Sequence, residues 1–186
     1  LGDNSISDLS PLSGLAGGAL RSLALGENLI SDVTPLGALA GLESLNLAVN
    51  SISSLAPLLG IGASLTYLDA IRNQINTLSG LEALTGLEEL WLDWNQISDL
   101  SPLANLPALW NLRLYSNLVS SLQPLVDGTV FTGPEYQHLD VAENPLAWEA
   151  CAQQIPTLES RGVYVNHGVC AARKVTVPAV TGMTET

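Results

Sequence analysis

The sequence predicts an α/β solenoid, a curved coil with a parallel β-sheet on its concave face and short helices or 3-10 turns on its convex face. Three observations predict it. The first is a repeat: DNSISDLSPL, ENLISDVTPL, VNSISSLAPL, RNQINTLSGL, WNQISDLSPL and SNLVSSLQPL recur at nearly constant spacing. Such self-similarity marks arrays whose units bury their apolar atoms only against their neighbours. The second is a set of anchoring asparagines, Asn4, Asn28, Asn50, Asn73, Asn95 and Asn117, at steps of 24, 22, 23, 22 and 22 residues, with Asn144 following after 27. The third is that aliphatic residues stand at fixed offsets from each asparagine, as a coil requires if every turn fills the same interior.

Taken along one turn, the strand comes first. Leu23 and Leu25, Leu45 and Leu47, Leu90 and Leu92, and Leu112 and Leu114 lie five and three residues before their asparagines, and their alternation marks a short strand with one buried face. The asparagine follows where the chain leaves the strand, and its amide can both donate to and accept from backbone groups without a sheet partner. Stacked in register, Asn28, Asn50, Asn73, Asn95, Asn117 and Asn144 form a ladder whose role is structural. Ile6, Ile30, Ile52, Ile75, Ile97 and Val119 come two residues later, and Leu9, Val33, Leu55, Leu78, Leu100 and Leu122 three further on, filling the core from the turn and the convex side. Ser10-Pro11, Thr34-Pro35 and Ser101-Pro102 match a helix N-cap followed by proline at the first helical position, so a short convex helix should begin at each.

With strand, asparagine and Ile-Ser-Asp-Leu-Ser-Pro-Leu turn in this order, the chain resembles the bacterial leucine-rich-repeat family whose best-known members are the internalins. The resemblance covers residues 1 to about 167 and implies a leucine-rich-repeat horseshoe. Residues 144–165, NPLAWEACAQQIPTLESRGVYV, look like the closing unit of such arrays, in which a helix replaces the usual turn and a final strand seals the core. A cap must hide the last leucines behind a polar face, which Gln153, Gln154, Glu159 and Arg161 would supply while Ile155, Leu158, Val163 and Val165 face inward. Gly162 fits a helix C-cap, and Pro156 should split the helix in two. The organisation expected is repeats over 1–143, a capping unit over 144–170 and a tail over 171–186. The longer interval before Asn144 holds an insertion, 126–136, whose Asp127-Gly128 and Gly133-Pro134 pairs signal turns and which should protrude from the convex side. The sequence opens inside a repeat, so Leu9, Leu12 and Leu15 are expected to border an edge covered by upstream residues or a neighbouring molecule.

Composition narrows the function. Eighteen acidic against six basic residues give a net charge of −12, which repels nucleic acid and anionic lipid. No run of about 18 apolar residues is present, so membrane insertion is not expected. Cys151 and Cys170 have no second pair that would suggest zinc; they form either a disulfide tying the cap to the tail or two inert thiols. The disulfide is the favoured reading, and it implies export to the extracellular space or cell surface. No metal and no cofactor are expected.

On each strand the residues six, four, two and one before the asparagine should face the concave side. In the first two full strands these are small and mostly neutral. From the third they become Tyr67, Asp69, Ile71 and Arg72; then Glu89, Trp91, Asp93 and Trp94; then Asn111, Arg113, Tyr115 and Ser116; then His138, Asp140, Ala142 and Glu143. Trp110 extends the rim. Trp91 should lie between Asp69 and Arg113, Arg113 beside Asp140, and Arg72 beside Trp94, which makes Arg–Trp stacking available. Exposed Trp, Tyr and Arg carry interface energy more than other side chains, although cross-strand pairs that merely stabilise the sheet would look similar.

A glycosidase would use Asp69 with Asp93, or Asp93 with Glu89, but a shallow sheet is expected to leave these carboxylates solvated with ordinary pKa values. His138 and Asp140 lack a nucleophile placed by any recognised motif. The expectation is therefore a non-enzymatic module that binds a protein ligand through Tyr67, Asp69, Arg72, Glu89, Trp91, Asp93, Trp94, Trp110, Arg113, Tyr115, His138 and Asp140. A glycan-binding surface is the first alternative, since Trp91, Trp94 and Tyr115 could stack on sugar rings. A structural spacer or assembly domain of a larger surface protein is the second.

Overall fold

The computed structural model describes residues 1–15, 19–133 and 136–170. The expected tail, 171–186, and Pro134 of the Gly133-Pro134 turn lie outside the described residues. Within them the chain is a solenoid. Seven strands, β1 (Ser22–Ala24), β2 (Ser44–Asn46), β3 (Tyr67–Asp69), β4 (Glu89–Trp91), β5 (Asn111–Arg113), β6 (Gln137–Asp140) and β7 (Val163–Asn166), form one parallel sheet in sequence order. Between strands the chain crosses the convex side through 3-10 turns at Ser10–Leu15, Thr34–Ala38, Ala56–Ser64, Leu81–Ala83 and Ser101–Leu103, and through helix α1, Gln123–Asp127.

Leu23, Leu45, Leu68, Leu90, Leu112 and Leu139 pair strand to strand at the centre of the sheet and point into the core. Leu25, Leu47, Ala70, Leu92, Leu114 and Val141 stack behind them, fully buried, and Ile30, Ile52, Ile75, Ile97 and Val119 close the interior at the turn. Each fully buried aliphatic side chain contributes roughly 1.5–3 kcal/mol, so this stack outweighs the exposed Arg21–Glu43 ion pair, of the kind that adds at most about 1 kcal/mol. At the other end of the molecule Leu9 is buried, Leu12 half-buried and Leu15 exposed.

The asparagine side chains join each coil to the one before. Asn95 Nδ2 donates to the carbonyls of Leu92 and of Ala70 one coil earlier, both at 3.0 Å, while its Oδ1 accepts the Ile75 N–H at 2.9 Å. Asn28, Asn50, Asn73, Asn117 and Asn144 repeat the pattern. The residue before each asparagine is left-handed, at φ 53–56° for Glu27, Val49, Arg72, Trp94, Ser116 and Glu143. None is glycine, so the turn holds six L-side chains in a conformation they rarely adopt.

Three expectations are corrected. Ser10, Thr34 and Ser101 do not cap the convex turns; they are the first residues inside them, and their N–H groups donate to Asp8, Asp32 and Asp99 Oδ1 at 2.8–2.9 Å. A carboxylate two residues upstream reaches that N–H better than the residue's own hydroxyl. Ser54, Thr77 and Ser121 hold the same position, and their hydroxyls accept the equivalent N–H. The cap helix divides at Pro156: a π-turn, Ala150–Gln154, gives way to helix α2, Ile155–Ser160, with the proline in its first turn, where its missing N–H costs no α-helical hydrogen bond.

Gln154 is not on the polar outer face of the cap. It is buried, and its Oε1 accepts the Leu122 N–H at 2.6 Å, closing the last convex turn. Finally, the described part of the 126–136 insertion does not simply protrude. Val130 and Phe131 are buried in the core, and the N–H groups of Thr129 and Val130 donate to the Ala104 carbonyl; two large apolar side chains gain more inside than in water. Ile155, Leu158, Val163 and Val165 face inward, and Cys151 is disulfide-bonded to Cys170.

Candidate functional site

The concave face is built from the strand residues that alternate with the buried leucines. The register sets Asp69, Trp91, Arg113 and Asp140 side by side across β3 to β6, and Tyr67, Glu89, Asn111, His138 and Tyr164 in a second row from β3 to β7. Tyr67 meets Trp91 edge-on at 5.2 Å between ring centroids, and Trp94 meets Tyr115 in the same way at 5.2 Å. The Arg113 guanidinium lies 5.0 Å from the Trp91 ring and that of Arg72 4.7 Å from the Trp94 ring. Trp94, thrown outward by its left-handed backbone, is 42% exposed. Trp91, Arg113, Tyr115, His138 and Trp110 are half-buried, and Arg72 is exposed.

The carboxylates behave differently from expectation. Asp69 and Asp93 are not solvated: Asp69 is 6% exposed and Asp93 fully buried, and burial pushes both pKa values above the ordinary 3.8. The cause is backbone satisfaction. Asp69 Oδ1 accepts the Ile71 N–H, and Asn46 and Asp140 accept the corresponding N–H groups of Ala48 and Ala142. Arg113 holds the equivalent position in its coil and cannot accept, so Asp93 reaches across from the coil before, taking the Tyr115 N–H at 2.9 Å and pairing with Arg113 Nη2 at 2.6 Å. Arg113 is thus committed to Asp93 rather than to its neighbour Asp140, whose Oδ2 accepts from Asn166. Burial, helped by Asp69 and Glu89, also raises the Tyr67 hydroxyl to about 12. With their carboxylates turned towards backbone N–H groups and Arg113, Asp69 and Asp93 offer little surface to a partner.

Two side chains join the face that the sequence did not single out. Tyr164 stacks on His138 at 5.6 Å, and Tyr136 on Tyr164 at 6.3 Å; Tyr164 is 55% and Tyr136 63% exposed. Alternation with Val163 and Val165 was a signal for Tyr164. Nothing local signals Tyr136, which arrives from the insertion.

A family model for leucine-rich repeats in two copies matches residues 63–105. An internalin of Listeria monocytogenes, inlF, superimposes with a TM-score of 0.74 over 89% of this chain and 47% of its own, at 27% identity. A second, internalin C2, is 37% identical over 67% of this chain and 64% of its own, with a TM-score of 0.57.

The chain is internalin-like in its leucine-rich-repeat fold. It spans about half the length of the first internalin and under two thirds of the second. A chain of the Drosophila Toll–Spatzle complex, at 22% identity and a TM-score of 0.64, shares the fold alone. No curated protein matches the chain. Seven parallel strands, one per coil, and short convex turns make the leucine-rich-repeat solenoid predicted from the repeat.

Proposed function

We propose that this repeat chain is a non-enzymatic module, displayed outside the cell, that recognises a protein partner through the C-terminal half of its concave sheet. The observation that carries the reading is the confinement of Tyr67, Trp91, Trp94, Tyr115, His138, Tyr136 and Tyr164 to β3–β7 and the loops beside them, where β1 and β2 carry Ser22, Ala24, Ser44 and Asn46. Side chains needed only to stabilise a sheet would serve in every coil; a rigid aromatic patch in one half has the character of an interface. A protein partner is favoured over a sugar because a pyranose needs an open ring face, whereas Arg72 and Arg113 cover one face of Trp94 and of Trp91, and His138, Tyr164 and Tyr136 stack on one another. Glu89, with its Oε2 accepting from Asn111, and half-buried Asp140 complete the rim. The disulfide and the likeness to internalins support export.

A pull-down with surface-exposed proteins, run beside a glycan array, tests the reading. Trp91→Ala and Trp94→Ala are expected to weaken capture of the protein partner by at least ~2 kcal/mol, with circular dichroism unchanged, while Ser22→Ala and Ser44→Ala have no effect. Normal capture by both tryptophan variants would show that the patch is structural.

A further inference from the structure

Beside the concave patch lies a recess of about 300 Å³ whose lining includes Glu88, Pro107, Leu109, Trp110 and Gln137. Its position follows from the repeat. Glu88, Trp110 and Gln137 each stand seven residues before their asparagines, Asn95, Asn117 and Asn144, so they occupy one column on three successive coils. The backbone fixes that column: the Trp110 N–H donates to the Glu88 carbonyl at 3.0 Å and the His138 N–H to the Trp110 carbonyl at 2.7 Å. Leu109 is fully buried beneath it, and Gln137 is held by its Nε2 donating to the Gly133 carbonyl at 3.3 Å. The lining therefore combines apolar and aromatic residues, Pro107, Leu109 and Trp110, with the exposed acidic residue Glu88. The ion pairs among the described residues join Arg21 to Glu43 and Arg113 to Asp93, and neither engages Glu88.

We infer that this recess is an anchor pocket for a basic side chain, lysine or arginine, of the protein that docks on the concave face. The chemistry of the lining selects that class. A methylene stem packs on Pro107 and the Trp110 ring while its cationic head meets both the ring's negative face and the Glu88 carboxylate. An acidic side chain would face Glu88 in a chain of net charge −12. A purely apolar one would leave Glu88 beside it without a partner. The inference rests on the concave-face reading for the origin of the side chain, but the pocket can be probed alone.

The test follows the indole N–H resonance of Trp110, assigned through Trp110→Phe, in the full chain. N-acetyl-lysine N-methylamide is expected to shift it saturably, with the norleucine isostere at least ~10-fold weaker. Glu88→Gln should bring lysine to the norleucine level, as should raised salt. Equal shifts from norleucine or from the glutamate analogue, or none from lysine at its solubility limit, would overturn the inference. Because the tryptophan variants above report on Trp91 and Trp94, failure of the pocket and failure of the docking face are read separately.

Discussion

Asn95 places one side-chain amide between two coils, and its removal shows what a single residue of the ladder is worth. Its Oδ1 takes the N–H of Ile75, and its Nδ2 serves carbonyls of Ala70, Leu92 and Asp93, all in buried surroundings. Alanine there would leave a buried N–H without its acceptor and two coils without a shared donor. Asn95→Ala is expected to destabilise the chain by about 3 kcal/mol in urea unfolding, the scale set by stranded buried polar groups. A loss near zero would mean that water replaces the amide. The same logic separates the concave carboxylates from the aromatics around them. Asp69 and Asp93 looked like exposed partner-binding groups because strand alternation counts only direction, whereas each is drawn inward by a backbone N–H that needs an acceptor.

At the scale of the turn, the convex side is limited by how closely coils approach. A β-carbon on Gly86 would collide with the Ala63 carbonyl, and one on Gly128 with that of Ala104, whereas Gly14 has open space around it. Gly86→Ala is therefore expected to cost roughly 1–3 kcal/mol through a forced backbone shift, and Gly14→Ala to leave the thermal midpoint unchanged or slightly raised. Equal effects from the two substitutions would refute the close-packing account. Helix α2 teaches a related lesson. Pro156 divides it from the π-turn before it, and Gln154 at that junction turns inward to accept the Leu122 N–H.

For the whole molecule, burial and hydrogen bonding oppose each other in the pH dependence of stability. Asp69 and Asp93 have raised pKa values from burial, so the folded chain binds their protons more readily than the unfolded chain, and their cost to stability eases as the pH falls through those raised values towards 3.8. Asp8, Asp32 and Asp99 are lowered by the hydrogen bonds from Ser10, Thr34 and Ser101; their contribution is present above 3.8 and lost as pH drops through their lowered values. The melting temperature should thus rise as the pH falls through the raised values of Asp69 and Asp93 towards 3.8 and fall once the pH passes below 3.8, with Asp93→Asn flattening the rise. A midpoint that declines steadily from pH 7 would show that the Arg113 ion pair outweighs the burial of Asp93. The repeat spacing by itself determined the solenoid, the buried columns, the asparagine positions and which residues share a row, because a coil that fills one interior repeats its apolar offsets in the chain. Only the tertiary structure decided that Asp69 and Asp93 turn inward, that Tyr136 and Tyr164 extend the face, that Val130 and Phe131 enter the core, and that Glu88 and Trp110 border a recess. Those outcomes depend on contacts between neighbouring coils, where one coil's unsatisfied N–H or uncovered apolar surface selects the conformation of a side chain some 22 residues away, as with Asp93 and Tyr115.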